Sequence, residues 1–141
     1  MVFDAIMLML LIRPESARPK NPDTGASLEY VQERIAYFVQ RHEKAKTRIG
    51  IPTPALSEVL VRSGSAAVQI VTKIKELAIF EILPFDELSA IEVALMTRVA
   101  IESGDKKAGS DETWNMIKYD RQIAAIAKVR QATAIYTDDV G

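Results

Sequence analysis

The chain has 141 residues, of which 48% are apolar and 26% charged, and its 18 basic and 19 acidic side chains leave a formal net charge of −1. That length fits one domain able to bury its own core, and the near-neutral charge means that any nucleic-acid binding must come from a local patch. Having no cysteine excludes disulfide frameworks, thiolate zinc sites, iron–sulfur clusters and cysteine nucleophiles, and the single histidine, His42, argues against histidine-rich zinc sites.

Residues 1–4 read as a strand that begins at once, and residues 5–12, almost wholly apolar, read as a buried helix. This opening run is too short to span a bilayer. It also lacks a basic flank and a small-residue cleavage site, so it does not read as a signal peptide and the expected location is the cytoplasm. Residues 13–26 hold Pro14, Pro19, Pro22 and Gly25 together with Arg13, Arg18 and Lys20, the composition of a loop. Over 28–43, Leu28, Val31, Ile35, Phe38 and Val39 recur at helical spacing, with Ser27 as a candidate N-cap.

Residues 48–51 predict a short strand stopped by Pro52, and Pro54 opens a helix over 55–62 that Ser63-Gly64 ends. A second helix is predicted over 66–78, a strand over 79–83 closed by Pro84, and a helix over 88–103 ending at Gly104. A polar loop over 105–113 leads to a helix over 114–130 and a last strand over 133–137. Short apolar strands alternating with helices predict an α/β protein: a three-layer α/β/α sandwich around a parallel sheet of about four strands.

In such sheets ligands bind outside the carboxyl ends of the strands. Carboxylates collect there: Asp4 after the first strand, Glu58 on the helix after the second, Asp86 after the third, and Asp138 and Asp139 after the fourth, with Asp120 on the helix before it. Each has an ordinary reading. Asp4 and Asp86 suit N-caps, Glu58 and Asp120 suit solvated helix faces, and Asp138 and Asp139 suit a turn. Asp4 stands out because it interrupts an apolar run, where a carboxylate is costly unless paired. Acids that converge repel one another unless cations neutralise them, and hard divalent cations take carboxylate oxygens.

The segments Phe3-Asp4-Ala5-Ile6-Met7-Leu8, Ile51 to Leu60, Lys118 to Ala127, and Ile135-Tyr136-Thr137-Asp138-Asp139 together span nearly the whole chain. In their order and spacing the chain resembles the PIN-domain ribonuclease family, especially the toxins of VapC-type toxin–antitoxin pairs. The resemblance implies one PIN-like domain over 1–141, which would lack the usual C-terminal helix and edge strand. It implies a metal-dependent hydrolysis of RNA phosphodiesters. Asp4, Glu58, Asp120 and Asp139 would be the catalytic acids, with Mg²⁺ or Mn²⁺ held by Asp4, Asp120, Asp139 and Asp138, and Thr137 as a hydroxyl helper. Two partners besides the RNA substrate follow from it: a cognate antitoxin and a second copy of the chain. One departure is Ile6, where the family commonly has a small polar residue.

Arg13, Arg18, Lys20 and Arg121 are candidate phosphate contacts, though each also suits an ordinary solvated surface. Trp114 and Tyr119 could stack on bases, with core packing the better reading for Trp114. His42 reads as a surface residue, and Met7, Met9 and Met96 as core filler. A second reading is a catalytically weak PIN-like interaction module, working through dimer or partner binding. A receiver domain fits poorly, because Asp4 has no acidic neighbour.

Overall fold

The computed structural model of the chain describes residues 1–12, 31–107, 109 and 111–136. Residues 13–26, Ser27, Thr137, Asp138 and Asp139, all singled out from the sequence, lie outside them. The described elements run in the order β1 (Val2–Phe3), α1 (Ala5–Ile12), α2 (Val31–Ala45), β2 (Ile49–Pro52), α3 (Thr53–Ser63), a 3-10 turn (Gly64–Ala66), α4 (Ala67–Glu76), β3 (Phe80–Leu83), α5 (Glu87–Glu102), α6 (Trp114–Val129) and β4 (Ile135–Tyr136). The four strands form one sheet in the order β3-β2-β1-β4, and every pairing is parallel. The expected α/β class and four-stranded parallel sheet are what the chain adopts, with boundaries shifted by a residue or two.

Because side chains alternate across a strand, adjacent strand residues feed opposite faces. Val2, Ile51 and Leu83 join Leu8, Ala55, Val59, Ile70, Ile74, Ile123 and Ile126 in the larger core. Phe3 turns the other way and lies in a second cluster with Ile49, at the start of β2, and Ile79, with Met7, Phe38 and Val39 packed against it. The first face is therefore covered by α3, α4 and α6 and the second by α2, while α1 contributes to both. Two covered faces explain why the strands read as continuous apolar runs. Each fully buried aliphatic or aromatic side chain here contributes roughly 1.5–3 kcal/mol.

Local signals set the element ends. Pro54 sits in the first turn of α3, where a missing N–H costs nothing, and Gly64 leaves the helix with φ 54°, a value L side chains rarely adopt. Asp86 caps α5 as the sequence suggested: its Oδ1 accepts from the backbone N of Ser89 at 3.0 Å and from the Ser89 hydroxyl at 2.9 Å. Arg130, just past the end of α6, reaches Asp86 Oδ2 at 3.5 Å. With the pairs Glu92–Lys128 and Thr97–Arg121, this fixes α5 and α6 as an antiparallel pair.

Gly50 sits at the centre of the sheet with no room beside it. A Cβ there would lie 3.2 Å from Leu83 Cγ and 3.3 Å from the Met1 carbonyl oxygen, whose bond from the Gly50 N–H (2.7 Å) ties β2 to β1. Gly50→Ala should therefore destabilise the fold by about 1–3 kcal/mol, the range for overpacking, read as a lower denaturation midpoint.

The Asp86 carboxyl is held below its ordinary value of 3.8, first by the Ser89 N–H, then by the Ser89 hydroxyl, with Arg130 adding to them. The folded state thus prefers the carboxylate, and that contribution is complete above the unfolded value and lost as pH falls through the lowered folded one. Acid titration followed by circular dichroism should show stability falling below about pH 3.8, and Asp86→Ala should flatten that part of the curve.

Candidate active site at the carboxyl edge of the sheet

The strand order 3-2-1-4 reverses at β1: the chain leaves β1 towards β2 on one side and returns to β4 on the other. The crevice outside the carboxyl ends of β1 and β4 is the switch point where open α/β sheets bind ligands. Asp4 stands there, between the last residue of β1 and the first of α1. Its backbone N donates to the Tyr136 carbonyl at 3.1 Å, and Phe3 is in register with Tyr136. In the sequence, Thr137-Asp138-Asp139 follows directly on Tyr136.

The Asp4 carboxylate also does the ordinary work the sequence allowed, accepting from the Met7 N–H at 2.9 Å to cap α1. One oxygen serves the helix, and a carboxylate has acceptor capacity left over. Half-buried at the rim of an apolar core, it is satisfied without an ion pair to a cationic side chain among the described residues.

Glu58 lies on α3, which follows β2 with no intervening loop. The Thr53 hydroxyl at the start of α3 accepts from the Phe85 N–H at 3.0 Å, which pins the exit of β3 to the same edge. Glu58 Oε1 accepts from Arg62 at 2.7 Å, one turn along the helix, with 43% of the Glu58 side chain exposed. An exposed i,i+4 pair of this kind contributes only about 0.3–0.5 kcal/mol, so a stronger ligand can displace Arg62.

Asp120 is exposed in the first half of α6. That helix delivers the chain to the amino end of β4, so its earlier turns lie towards the carboxyl edge. Below Asp120, Ile123 and Ile126 anchor α6 in the larger core.

Oxygen donors of this kind suit Mg²⁺ or Mn²⁺. Among the described residues, no three acidic or histidine side chains form a group that could hold a metal. Asp4, Glu58 and Asp120 are therefore set on three elements around one edge without closing a metal cage by themselves. Asp138 and Asp139, the remaining acids of the expected set, lie outside the described residues, as do Thr137, Arg13, Arg18 and Lys20.

Arg121 is engaged in holding the fold. Its guanidinium donates to the Thr97 hydroxyl at 3.3 Å and to the Lys106 carbonyl, which ties the loop after α5 back onto α6. Trp114, expected in the core, is instead half-buried at the start of α6, with Lys106 Nζ 3.9 Å, Lys118 Nζ 5.4 Å and the Arg121 guanidinium 5.5 Å from the ring centroid. These are cation–π distances: Lys118 lies one turn after Trp114 on α6, whereas Lys106 comes from the loop after α5. Tyr119 is exposed.

Nothing in the spacing along the chain links the aromatics of α2 and β4. Phe38 stacks on Phe3 at 5.6 Å, meets Tyr136 edge-on at 5.0 Å and lies 4.5 Å from the His42 ring. This cluster fixes the strand that leads into Thr137-Asp138-Asp139. His42 is thus half-buried against Phe38, its Nδ1 2.6 Å from the Thr47 hydroxyl, and its pKa is lowered by partial burial, then by Arg41 and the terminal amine.

The arrangement is a PIN-like α/β fold, with Asp4 at the switch point of its sheet. It matches a chain in the crystal structure of VapBC2 from Rickettsia felis bound to a DNA fragment from their promoter. That match has a TM-score of 0.59 and 14% identity, over 99% of this chain and 86% of that one. It also matches a chain in the DNA-bound VapBC structure from Salmonella typhimurium, with a TM-score of 0.51 and 16% identity over 92% and 79% of the two chains. No family model and no curated protein sequence matches the chain.

Asp4 carries two separable roles. Asp4→Asn keeps a good cap and removes the charge, whereas Asp4→Ala loses both. The alanine variant should be about 1 kcal/mol less stable than the asparagine variant, read as a lower denaturation midpoint.

Proposed function

We propose that the chain is the toxin of a toxin–antitoxin pair and acts as a metal-dependent endoribonuclease in the cytoplasm. The observation that carries this reading is the placement of Asp4 at the switch point, its backbone bonded to the strand that precedes Thr137-Asp138-Asp139. The likeness to chains of VapBC complexes supports the same fold-level assignment. A cognate antitoxin and a second copy of the chain complete the set of partners. Among the described residues no helix is long and apolar enough to cross a membrane.

In this reading Asp4, Asp120, Asp139 and Asp138 hold Mg²⁺ or Mn²⁺, with Glu58 beside them and Thr137 orienting the fourth acid. The bound ion supplies an acidified water and neutralises charge at the scissile phosphate. Asp4 would hold the ion with the oxygen that the helix cap leaves available. Glu58 exchanges Arg62 for a bound water and takes its proton. Asp120, on a helix anchored by Ile123 and Ile126, would be a further ligand to the ion. Arg13 and Arg18 are the candidate phosphate contacts; Arg121 contributes by holding the loop after α5.

The test is cleavage of a mixed structured RNA by the purified chain with Mn²⁺, with EDTA, and as Asp120→Asn. Metal-dependent cleavage that falls at least about 100-fold in the variant, the scale of losing a general-base or metal contact, is expected. Absence of both cleavage and Mn²⁺ binding would overturn the reading and leave the interaction module.

A further inference from the structure

The edge of the sheet opposite Asp4 holds a cavity of about 310 Å³, at the lower end of the size range of small-molecule sites. Residues that precede the strands line it: Met1 before β1, Arg48 before β2 and Thr133 before β4. Its floor is Val2, Gly50 and Leu83, with Leu83 leaning over the bare backbone of Gly50. Gly50 is in register with Val2 on one side and Glu81 on the other. Backbone bonds fix this floor, from Gly50 N to Met1 O at 2.7 Å and from Val2 N to Ala134 O at 2.9 Å. One wall is the exit of α6, from Arg130 to Thr133. Gln131 turns the chain there with φ 54°, and bonds from Gln131 N to Lys128 O (3.0 Å) and from Ala132 N to Ala127 O (2.8 Å) hold the turn.

The charged side chains on this frame are Arg48, Arg130 and Glu81. Among the described residues, neither the Arg48 guanidinium nor the Glu81 carboxylate has a hydrogen bond or an ion pair. Arg130 reaches Asp86 at 3.5 Å, with the two side chains 39% and 35% exposed, a long, solvated pair that a better acceptor displaces. A guanidinium carries five donors in a fork that matches a phosphate bidentately. A single exposed arginine is ordinary. Two with donors to spare, over a floor set by backbone bonds, leave the cavity positively charged and preorganised for an anion. Glu81 is an acceptor only, so it favours a ligand that carries donors beyond its anionic end.

We propose that this cavity is a binding site for a small phosphomonoester. Arg48 and Arg130 take the phosphate, and Glu81 accepts hydrogen bonds from hydroxyl or amino groups at the other end. The ligand and the α5 cap compete for the Arg130 guanidinium, so occupancy of the cavity is linked to Asp86. The site lies across the sheet from Asp4 and does not rest on the acids being catalytic.

The experiment is isothermal titration calorimetry of the full chain with inorganic phosphate, adenosine 5′-monophosphate and glucose 6-phosphate. EDTA is present throughout, so that no metal at the acid edge captures phosphate. At least one ester is expected to bind more tightly than inorganic phosphate, and its dephosphorylated form, adenosine or glucose, about tenfold or more weaker than the ester. Arg48→Ala, at an exposed position, should stay folded by circular dichroism and weaken the ester about tenfold, the loss of one charge-assisted contact. Glu81→Ala should weaken the ester without weakening inorganic phosphate. Asp86→Asn keeps a capping side chain and releases Arg130, so it should tighten binding about threefold, the scale of a solvated pair. Failure of all three probes to bind, esters no tighter than inorganic phosphate, or binding that Arg48→Ala leaves unchanged overturns the proposal. The ester that binds tells a nucleotide from a sugar phosphate.

Discussion

The molecule depends on a strand of two residues. Val2 and Phe3 form β1, which is paired on both sides, to β2 through Gly50 and to β4 through Ile135 and Tyr136. One side chain enters each core, and both are 1% exposed. So short a strand is held by its neighbours, through the hydrogen bonds from Val2 N to Ala134 O and from Gly50 N to Met1 O. Everything that follows β1 inherits its position, and the first residue to do so is Asp4.

This constraint links stability to chemistry. A carboxylate at the rim of two apolar cores would be costly if unpaired. The α1 N-terminus removes that cost by donating the Met7 N–H, so the same residue closes a strand, opens a helix and presents charge at the switch point. Neighbouring features keep that edge in order. Thr53 ties the exit of β3 to α3, the Phe3–Phe38–Tyr136 cluster ties β4 to α2, and Arg121 ties the loop after α5 to α6. None of these contacts is itself a candidate for chemistry, but each fixes an element that carries an acid.

The α5–α6 pair is built on different physics. Its inner side is pinned by polar contacts at both ends, from the Asp86–Arg130 pair to the Thr97–Arg121 bond. Polar clamps fix the helix geometry and leave Leu88, Ile91, Leu95 and Val99 of α5 exposed.

Much of this was legible along the chain. Proline and glycine punctuation placed α3, Asp86 announced the cap of α5, and the alternation of short apolar strands with helices determined a parallel sheet covered on both faces. These are local properties: φ restriction, capping and periodicity act within a few residues. The acids were legible as a set from their places at the ends of the predicted strands, and their separate roles only through a family resemblance, because carboxylates scattered over more than a hundred residues carry no spacing of their own. Tertiary structure alone decided that Asp4 and Tyr136 are bonded neighbours, that Trp114 is not in the core, that Arg121 holds a loop, and that half of an apolar helix is left uncovered. Each of those depends on contacts between residues distant in sequence, and the energy of such contacts exists only once the chain has closed around them.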